Sequence, residues 1–307
     1  MKILILGGTG AVGSGITQEL RKEGHQVDIT GRRQGIRVDL ASTAGFSQLR
    51  TLAPEYGLII NASGVEDPDL LTAVSPVPFV EVSATASYLA QLADQATKGH
   101  SVLLGAGLIP GLSTLMIHEL PHEPGDDLDL AVILGTGEHH GPAAVQWTAS
   151  LAGQEIYAPP EGGKIRNFTE TRTLFSPTGP RTYLRTDFPD HLLTGDQLAV
   201  NVRSYLAVGD RLTTFALRMV GKIPSLSSLM QRVPAMGSDR WSLTLHNRRN
   251  GMQLHTSGHG QSRATAWFTA AAALALREHN PGTVVTTGSL MRLADLTDQL
   301  QRLQAPA

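Results

Sequence analysis

The stretch from Met1 to Leu40, MKILILGGTGAVGSGITQELRKEGHQVDITGRRQGIRVDL, decides the fold. Residues 2–6 are a short apolar run of the kind that a buried parallel strand requires. The run breaks into Gly7-Gly8-Thr9-Gly10-Ala11-Val12-Gly13. Residues 11–23 then read as an amphipathic helix that Gly24 closes, and residues 26–30 as a second strand. A glycine motif set between strand and helix has a mechanism. Gly8 permits the tight turn, Gly10 lets the backbone approach a pyrophosphate, and Gly13 lets the helix lie close on the strand. The helix N-terminus adds N–H groups and the positive end of a dipole. The whole loop, Gly7 to Gly13, is therefore expected to face a dinucleotide.

The end of the second strand selects the cofactor. An NAD site carries Asp or Glu there to accept from the ribose 2′-hydroxyl. Here the chain runs Thr30-Gly31-Arg32-Arg33, and no carboxylate follows until Asp39. Two guanidiniums in a neutral loop suit a 2′-phosphate, so NADP(H) is expected, with Arg32 and Arg33 as its ligands. Asp39, after Arg37-Val38, stands where a third strand would end and is expected to touch the adenine.

Bulk properties exclude several classes. The 307 residues carry 25 Lys+Arg against 27 Asp+Glu, a formal charge of −2, which gives nucleic-acid binding no support. With no cysteine, neither disulfides nor thiol chemistry nor a Cys-ligated metal is available. Met1-Lys2 leads straight into a strand, so no signal peptide is expected. Nothing approaches the ~20 continuous apolar residues of a membrane span. The expectation is a soluble, cytoplasmic protein without stable membrane insertion, acting on a small-molecule substrate.

Further along, residues 57–64 read as a strand ending in Asn61-Ala62-Ser63-Gly64. Ligands of doubly wound sheets lie outside the carboxyl ends of the strands, so Asn61, Ala62 and Ser63 are expected at the cofactor. Residues 78–84 form the next strand, with Ser83 at its end. A helix over 85–98 and a strand over 100–105 follow. The loop GAGLIPGLS, residues 105–113, then brings Gly107 over the cofactor cleft and feeds an apolar helix over 114–120. From residue 127 the texture changes to strands at 128–134, 172–174, 181–186 and 198–207, with a helix at 212–221. A hairpin follows, 241–247 with 252–259, turned by Asn250-Gly251. Residues 263–278 are a long, small and apolar helix stopped by Asn280-Pro281-Gly282. Residues 283–286 are extended, and residues 290–303 are an amphipathic helix. The fold class is α/β: an N-terminal Rossmann domain with a doubly wound parallel sheet (residues 1–120) and a second α+β domain on a mainly antiparallel sheet (121–285). A C-terminal helix (286–307) is expected to pack back on the first domain.

Three separated stretches are familiar. ILGGTGAVGSGI with TGRR, FVEVSAT with GAGLIPGLSTLM, and RATAWFTAAAALAL with NPGTVVTTGSL together resemble the saccharopine dehydrogenase-like family of NAD(P)-dependent oxidoreductases. The resemblance implies a nucleotide domain, a mixed α/β second domain, and hydride transfer at an amino or imino carbon. Two departures stand out. Ile109 precedes Pro110 where the family loop often carries Asp, and the chain is shorter than typical members. Neither saccharopine nor lysine metabolism is therefore implied.

Such a reaction needs a proton donor near neutrality. Glu138-His139-His140 is the densest ionisable cluster at a strand end of the second domain. Adjacent residues of an extended chain point to opposite faces, so one of His139 and His140 is expected in the cleft, and the sequence does not separate them. Arg263 suits a carboxylate clamp. His255 and His259 read as packed polar structure, Asp187 as a turn residue, and Trp147 and Trp267 as core or pocket wall. No metal site is expected, because no second ligand group shows helical spacing. None of the five tyrosines has Lys four residues on, which excludes the Tyr-x-x-x-Lys chemistry of short-chain dehydrogenases. Two alternatives to a C–N reductase stay open: a trans-acting enoyl or ketone reductase, and a non-catalytic NADP(H)-binding redox sensor. The apolar stretch 212–233 reads as core, with a lid, a homodimer contact or a membrane-surface patch as its other readings.

Overall fold

The computed structural model describes residues 1–31, 34–137, 147–176, 179–223, 225 and 237–304. The chain divides into two compact units, residues 1–115 with 262–292, and residues 116–261 with 293–307.

The first unit alternates β1 (Lys2–Leu6), α1 (Ala11–Lys22), β2 (Gln26–Ile29), α2 (Thr43–Leu52), β3 (Leu58–Asn61), α3 (Asp69–Val74), β4 (Phe79–Glu81), α4 (Ala86–Gln95) and β5 (Val102–Leu103), and enters α5 (Leu112–Glu119). The strands are near-continuous apolar runs because both faces of a parallel sheet are covered. Ile3 to Leu6 and Leu58 to Ile60 are fully buried. In α1 the buried stripe is Ile16, Thr17 and Leu20, and Gly24 at φ +79° turns the chain out of the helix.

The second unit contains β6 (Asp127–Leu134), β7 (Thr171–Ser176), β8 (Gly179–Arg185), α6 (Asp190–Leu198), β9 (Asn201–Val208), α7 (Arg211–Lys222), β10 (Arg240–Asn247) and β11 (Gln253–His259). The chain then returns to the first unit through α8 (Gln261–His279) and β12 (Val284–Val285), and ends with α9 (Thr297–Gln304).

The first sheet has the order β12-β5-β4-β3-β1-β2, with every neighbouring pair parallel. From β1 the chain steps outward to β2 and then crosses to β3 on the other side, so the switch point of this Rossmann topology lies between β1 and β3. The second sheet has the order β11-β10-β6-β9-β8-β7. Its neighbours are antiparallel except β6 and β9, which run parallel over eight residues each. Among the described residues no helix is long and apolar enough to cross a membrane.

Four details differ from the sequence reading. The strand expected to end near Asp39 is a single bridge between Thr30 and Ile36. Gly35, at φ +79°, turns the backbone against Ile29, and the chain then passes to Ser42, whose Oγ caps α2 by accepting from the Gly45 N–H. The region expected to be a strand from residue 198 begins as a helix, α6, and its strand starts only at Asn201. Residues 262–285, expected in the second domain, belong to the first unit, because β12 extends the first sheet beside β5 and Thr269 Oγ1 donates to the Ala106 carbonyl at 2.6 Å. The C-terminal helix, expected on the first domain, belongs to the second unit. Its Leu303 carbonyl lies so close to Gly258 of β11 that a Cβ there would stand 2.7 Å away.

Helices α1 and α8 meet at Gly15, where a Cβ would lie 2.6 Å from the Ala266 Cβ. Neither methyl can rotate away. Gly15→Val is expected to lower stability in urea denaturation by about 1–3 kcal/mol, despite the loss of a helical glycine, and Ala266→Gly in the same chain is expected to recover part of it. Equal or greater stability of Gly15→Val would contradict this packing.

Candidate nucleotide site

The site is built from the switch point upward. Gly7 follows β1 at φ +76°, so it, and not Gly8, makes the left-handed turn. Its N–H donates to Thr30 Oγ1 at 3.1 Å, and the Gly8 N–H to the Thr30 carbonyl at 3.1 Å. Gly8 has no room for a side chain because Ile29 stands 2.4 Å from its Cβ position. A Cβ on Gly13 would lie 2.3 Å from the Gly7 carbonyl oxygen, which is the close helix–strand approach expected of it. On the other side, a Cβ on Gly7 would meet the Ser63 Cα at 2.4 Å. Gly10 is the N-cap of α1 and supplies no side-chain hydrogen bond to the helix, which carries no acidic residue in its first turn. Thr9, Gly10 and Ala11 are exposed and Val12 is half-buried. This leaves an uncapped, solvent-facing helix N-terminus at the carboxyl end of the switch-point strands, a place suited to a pyrophosphate.

The position where an NAD site carries its carboxylate is Thr30, buried and engaged with Gly7. Within β2, Asp28 accepts from the Tyr56 hydroxyl at 3.0 Å and pairs with Lys2 at 3.5 Å. Asp39 is exposed and accepts from the Ala41 N–H at 3.2 Å in the turn before α2. Arg32 and Arg33 lie outside the described residues.

Beneath the cradle sits a network that the sequence did not disclose. Glu81, the last residue of β4, is fully buried. Its Oε2 accepts from Asn61 Nδ2 at 2.8 Å and from the Tyr88 hydroxyl at 3.0 Å, and its Oε1 from the Ser83 N–H at 2.9 Å. The Asn61 amide also donates to the Val65 carbonyl at 3.0 Å, while its Oδ1 accepts from the Ser63 N–H at 3.2 Å and the Ser63 hydroxyl at 2.6 Å. Ser63 Oγ in turn accepts from the Val65 N–H at 3.1 Å. Asn61 and Ser63 therefore shape the wall of the cradle, and the Ala62 N–H is taken by the Leu6 carbonyl at 3.0 Å. Burial pushes the Glu81 carboxyl up to about 7, against the opposing pull of its hydrogen bonds from Asn61, Ser83 and Tyr88. The available signal was a lone Glu inside the apolar strand FVEV, with a Tyr seven residues on.

Gly107 is buried, and its N–H donates to the Pro110 carbonyl at 2.8 Å. The loop around it is closed on itself by Gly111, whose Cβ position is 2.0 Å from the Gly107 carbonyl. Arg263 is exposed in the first turn of α8, and so belongs to the first unit. Glu138, His139 and His140 lie outside the described residues. His255 is bonded to Thr244 Oγ1 at 2.9 Å, with burial lowering its pKa, and His259 pairs with Asp239 at 2.6 Å. Asp187 is buried and accepts from the Tyr157 N–H at 3.1 Å. Trp147 lies 5.5 Å from Phe188 between ring centroids.

The second unit also holds a cavity of about 310 Å³ lined by Asp129, Arg172, Leu174, Phe175, His246 and Gln253 among others. Asp129 is fully buried and held by both nitrogens of the Arg248 fork, at 3.0 and 2.6 Å, with Arg172 at 3.0 Å.

No protein-family model and no curated protein sequence matches the chain. Among solved structures it is similar to C. glutamicum DAP dehydrogenase in complex with DAP, at 12% identity over 97% of this chain and 98% of that one, with a TM-score of 0.48. It is similar to an engineered D-amino acid dehydrogenase bound to NADP+, at 12% identity over 97% and 99% of the two chains, TM-score 0.47. It is also similar to a Streptococcus pneumoniae TIGR4 protein described as a candidate NADH-flavin reductase, at 22% identity and TM-score 0.23. That match covers 28% of this chain and 49% of the other, so the chain spans about half of that relative. At such identities and scores, the chemistry of the site stands on its own residues.

Glu81 gives a signed pH dependence. Its carboxyl lies at about 7 when folded against an ordinary 4.5, so the folded protein holds this proton more tightly than the unfolded chain. The stability so contributed is full below the unfolded value and is lost as pH rises through the folded one, about 3 kcal/mol in all. The difference in urea stability between wild type and Glu81→Gln is expected to change by about that amount between pH ~4.5 and pH ~8. A constant difference would show that Glu81 does not titrate in this range.

Proposed function

We propose that the chain is an NADP(H)-dependent oxidoreductase of the saccharopine dehydrogenase-like type, transferring hydride to or from a C–N or carbonyl carbon of a small substrate. One observation carries the reading. The glycine loop stands at the switch point between β1 and β3, with backbone so close that no side chain fits at Gly7 or Gly13, and it opens on an uncapped helix N-terminus. A bound nicotinamide supplies the hydride chemistry. The chain's own part is to bind and orient. The N-terminus of α1 receives the pyrophosphate, the turn after β3 bounds the cradle, and Thr30 in place of a carboxylate leaves the 2′-phosphate to Arg32 and Arg33. His139 or His140 holds the proton that the substrate nitrogen or oxygen takes up, and Arg263 binds a substrate carboxylate.

Fluorescence titration is expected to show NADPH bound at least about tenfold more tightly than NADH, with Arg32→Ala/Arg33→Ala losing that preference and leaving NADH unchanged. A preference for NADH would overturn the cofactor assignment. NADPH oxidation is expected within a panel of 2-oxo acids with and without amines, cyclic imines and ketones. Turnover only with an imine or an oxo-acid/amine pair supports reduction at C–N, and turnover with ketones supports reduction at a carbonyl carbon. One of His139→Ala and His140→Ala should then lose about 10²–10⁴ in kcat. Tight NADPH binding with no oxidation across that panel would sink the catalytic reading.

A further inference from the structure

The wall of the cradle is tied to one buried side chain. The groups hydrogen-bonded to the Glu81 carboxylate donate to it: the Asn61 amide, the Tyr88 hydroxyl and the Ser83 N–H, at 2.8–3.0 Å, with the Ser83 hydroxyl acting on it as well. Such a shell suits a group that only accepts: Oε2 already takes both the Asn61 amide and the Tyr88 hydroxyl, so a proton there must turn one of them away. The Tyr88 hydroxyl can rotate. The Asn61 amide cannot turn without withdrawing Oδ1 from both groups of Ser63, because one plane carries both ends. Glu81 thus sets Asn61, Asn61 sets Ser63, and Ser63 is the residue against which Gly7 packs. The titratable groups on the neighbouring elements are Tyr88 of α4, in contact, and Glu66, which follows β3 and accepts from Thr85 Oγ1 at 2.8 Å. Asp67 lies beyond and acts on Tyr88, whose pKa burial and the Glu81 charge both raise.

Resting on the nucleotide-binding reading above, we propose that Glu81 is a positioning residue for the dinucleotide. As a carboxylate it orients the Asn61 amide and through it the turn 61–65, so that a proton on Glu81 loosens the cradle and weakens binding. The device couples cofactor occupancy to pH through a side chain that the turn itself screens from the ligand. The raised carboxyl described above places this coupling near neutrality.

The test is calorimetric binding of NADP+ from pH ~5.5 to ~8.5 by wild type, Glu81→Gln and Tyr88→Phe, with amide hydrogen exchange at Ser63 and Val65 in the nucleotide-free proteins. The ligand's own 2′-phosphate titrates alike for all three, so differences between variants isolate the protein. Wild type is expected to lose about tenfold in affinity toward the acid end relative to Glu81→Gln, which binds weakly with no such dependence. Tyr88→Phe keeps the Asn61 contact and is expected to bind within about threefold of wild type at the alkaline end. Exchange at Ser63 and Val65, corrected for intrinsic rates, should be faster in Glu81→Gln. Parallel pH profiles for wild type and Glu81→Gln, or unchanged exchange, would overturn the proposal. If Glu81→Gln does not fold, the wild-type exchange at Ser63 and Val65 across the pH series decides in its place. Wild-type protein that takes no NADP+ at any pH overturns the nucleotide reading and this proposal with it, whereas NADP+ binding with parallel profiles overturns this proposal alone.

Discussion

Three segments of the first unit converge on Gly7 with no space for a side chain between them. The first turn of α1 presses Gly13 on its carbonyl, the turn after β3 presses Ser63 on its Cα, and Thr30 at the end of β2 accepts its N–H. Contacts at this distance leave no room for a Cβ atom, so they fix the relative height of β1, β2 and β3. The opening of the helix toward solvent follows from the same constraint. A helix that must lie flat on Gly7 starts level with the strand ends, and its first N–H groups then face outward. Thr30 illustrates the economy of the arrangement. The residue whose side chain closes the turn is also the one that carries the chain out of β2.

The second unit meets a different constraint, charge that has been taken out of water. Asp129 is fully buried between Arg248 and Arg172, and Arg185, 1% exposed, reaches Glu161 and the Ser204 carbonyl. Buried ions of this kind add little net stability against apolar residues, but leaving one unpaired is costly. They therefore act on geometry. Arg172 stands on β7 and Asp129 on β6, with β8 and β9 between them in the sheet order, so their 3.0 Å contact requires the sheet to curl until its edge strand comes over its centre.

Much of this was legible because period and punctuation agree. The apolar runs of β1 and β3, the glycine loop, the Asn-Gly hairpin of β10 and β11 and the long α8 each combine a strong pattern with a stop signal. What escaped depended on partners far along the chain. The bridge at Ile36 replaces a strand because Gly35 spends its residue on a turn. Nothing local to VVTT at residues 284–287 says that it will lie beside β5. Gly8 and Gly7 exchange roles because the left-handed residue is chosen by the hydrogen bonds of Thr30, not by the spacing of the glycines. Glu81 reads simply as part of a strand because a sequence displays a buried carboxylate and an exposed one alike. Its burial becomes visible only once Asn61 and Tyr88, 20 residues before and seven after, are placed around it.

The return of β12 to the first sheet has a kinetic side. Val102 and Val284 are neighbours in a parallel ladder but 182 positions apart, with the body of the second unit between them. During synthesis, the first five strands leave the ribosome long before the strand that covers their edge. The nascent unit must therefore wait with β5 exposed until the intervening unit has been made. An open parallel edge is the part of such an intermediate that other chains can recruit. The shortness of β5, two residues, limits what a stranger can pair with during that interval.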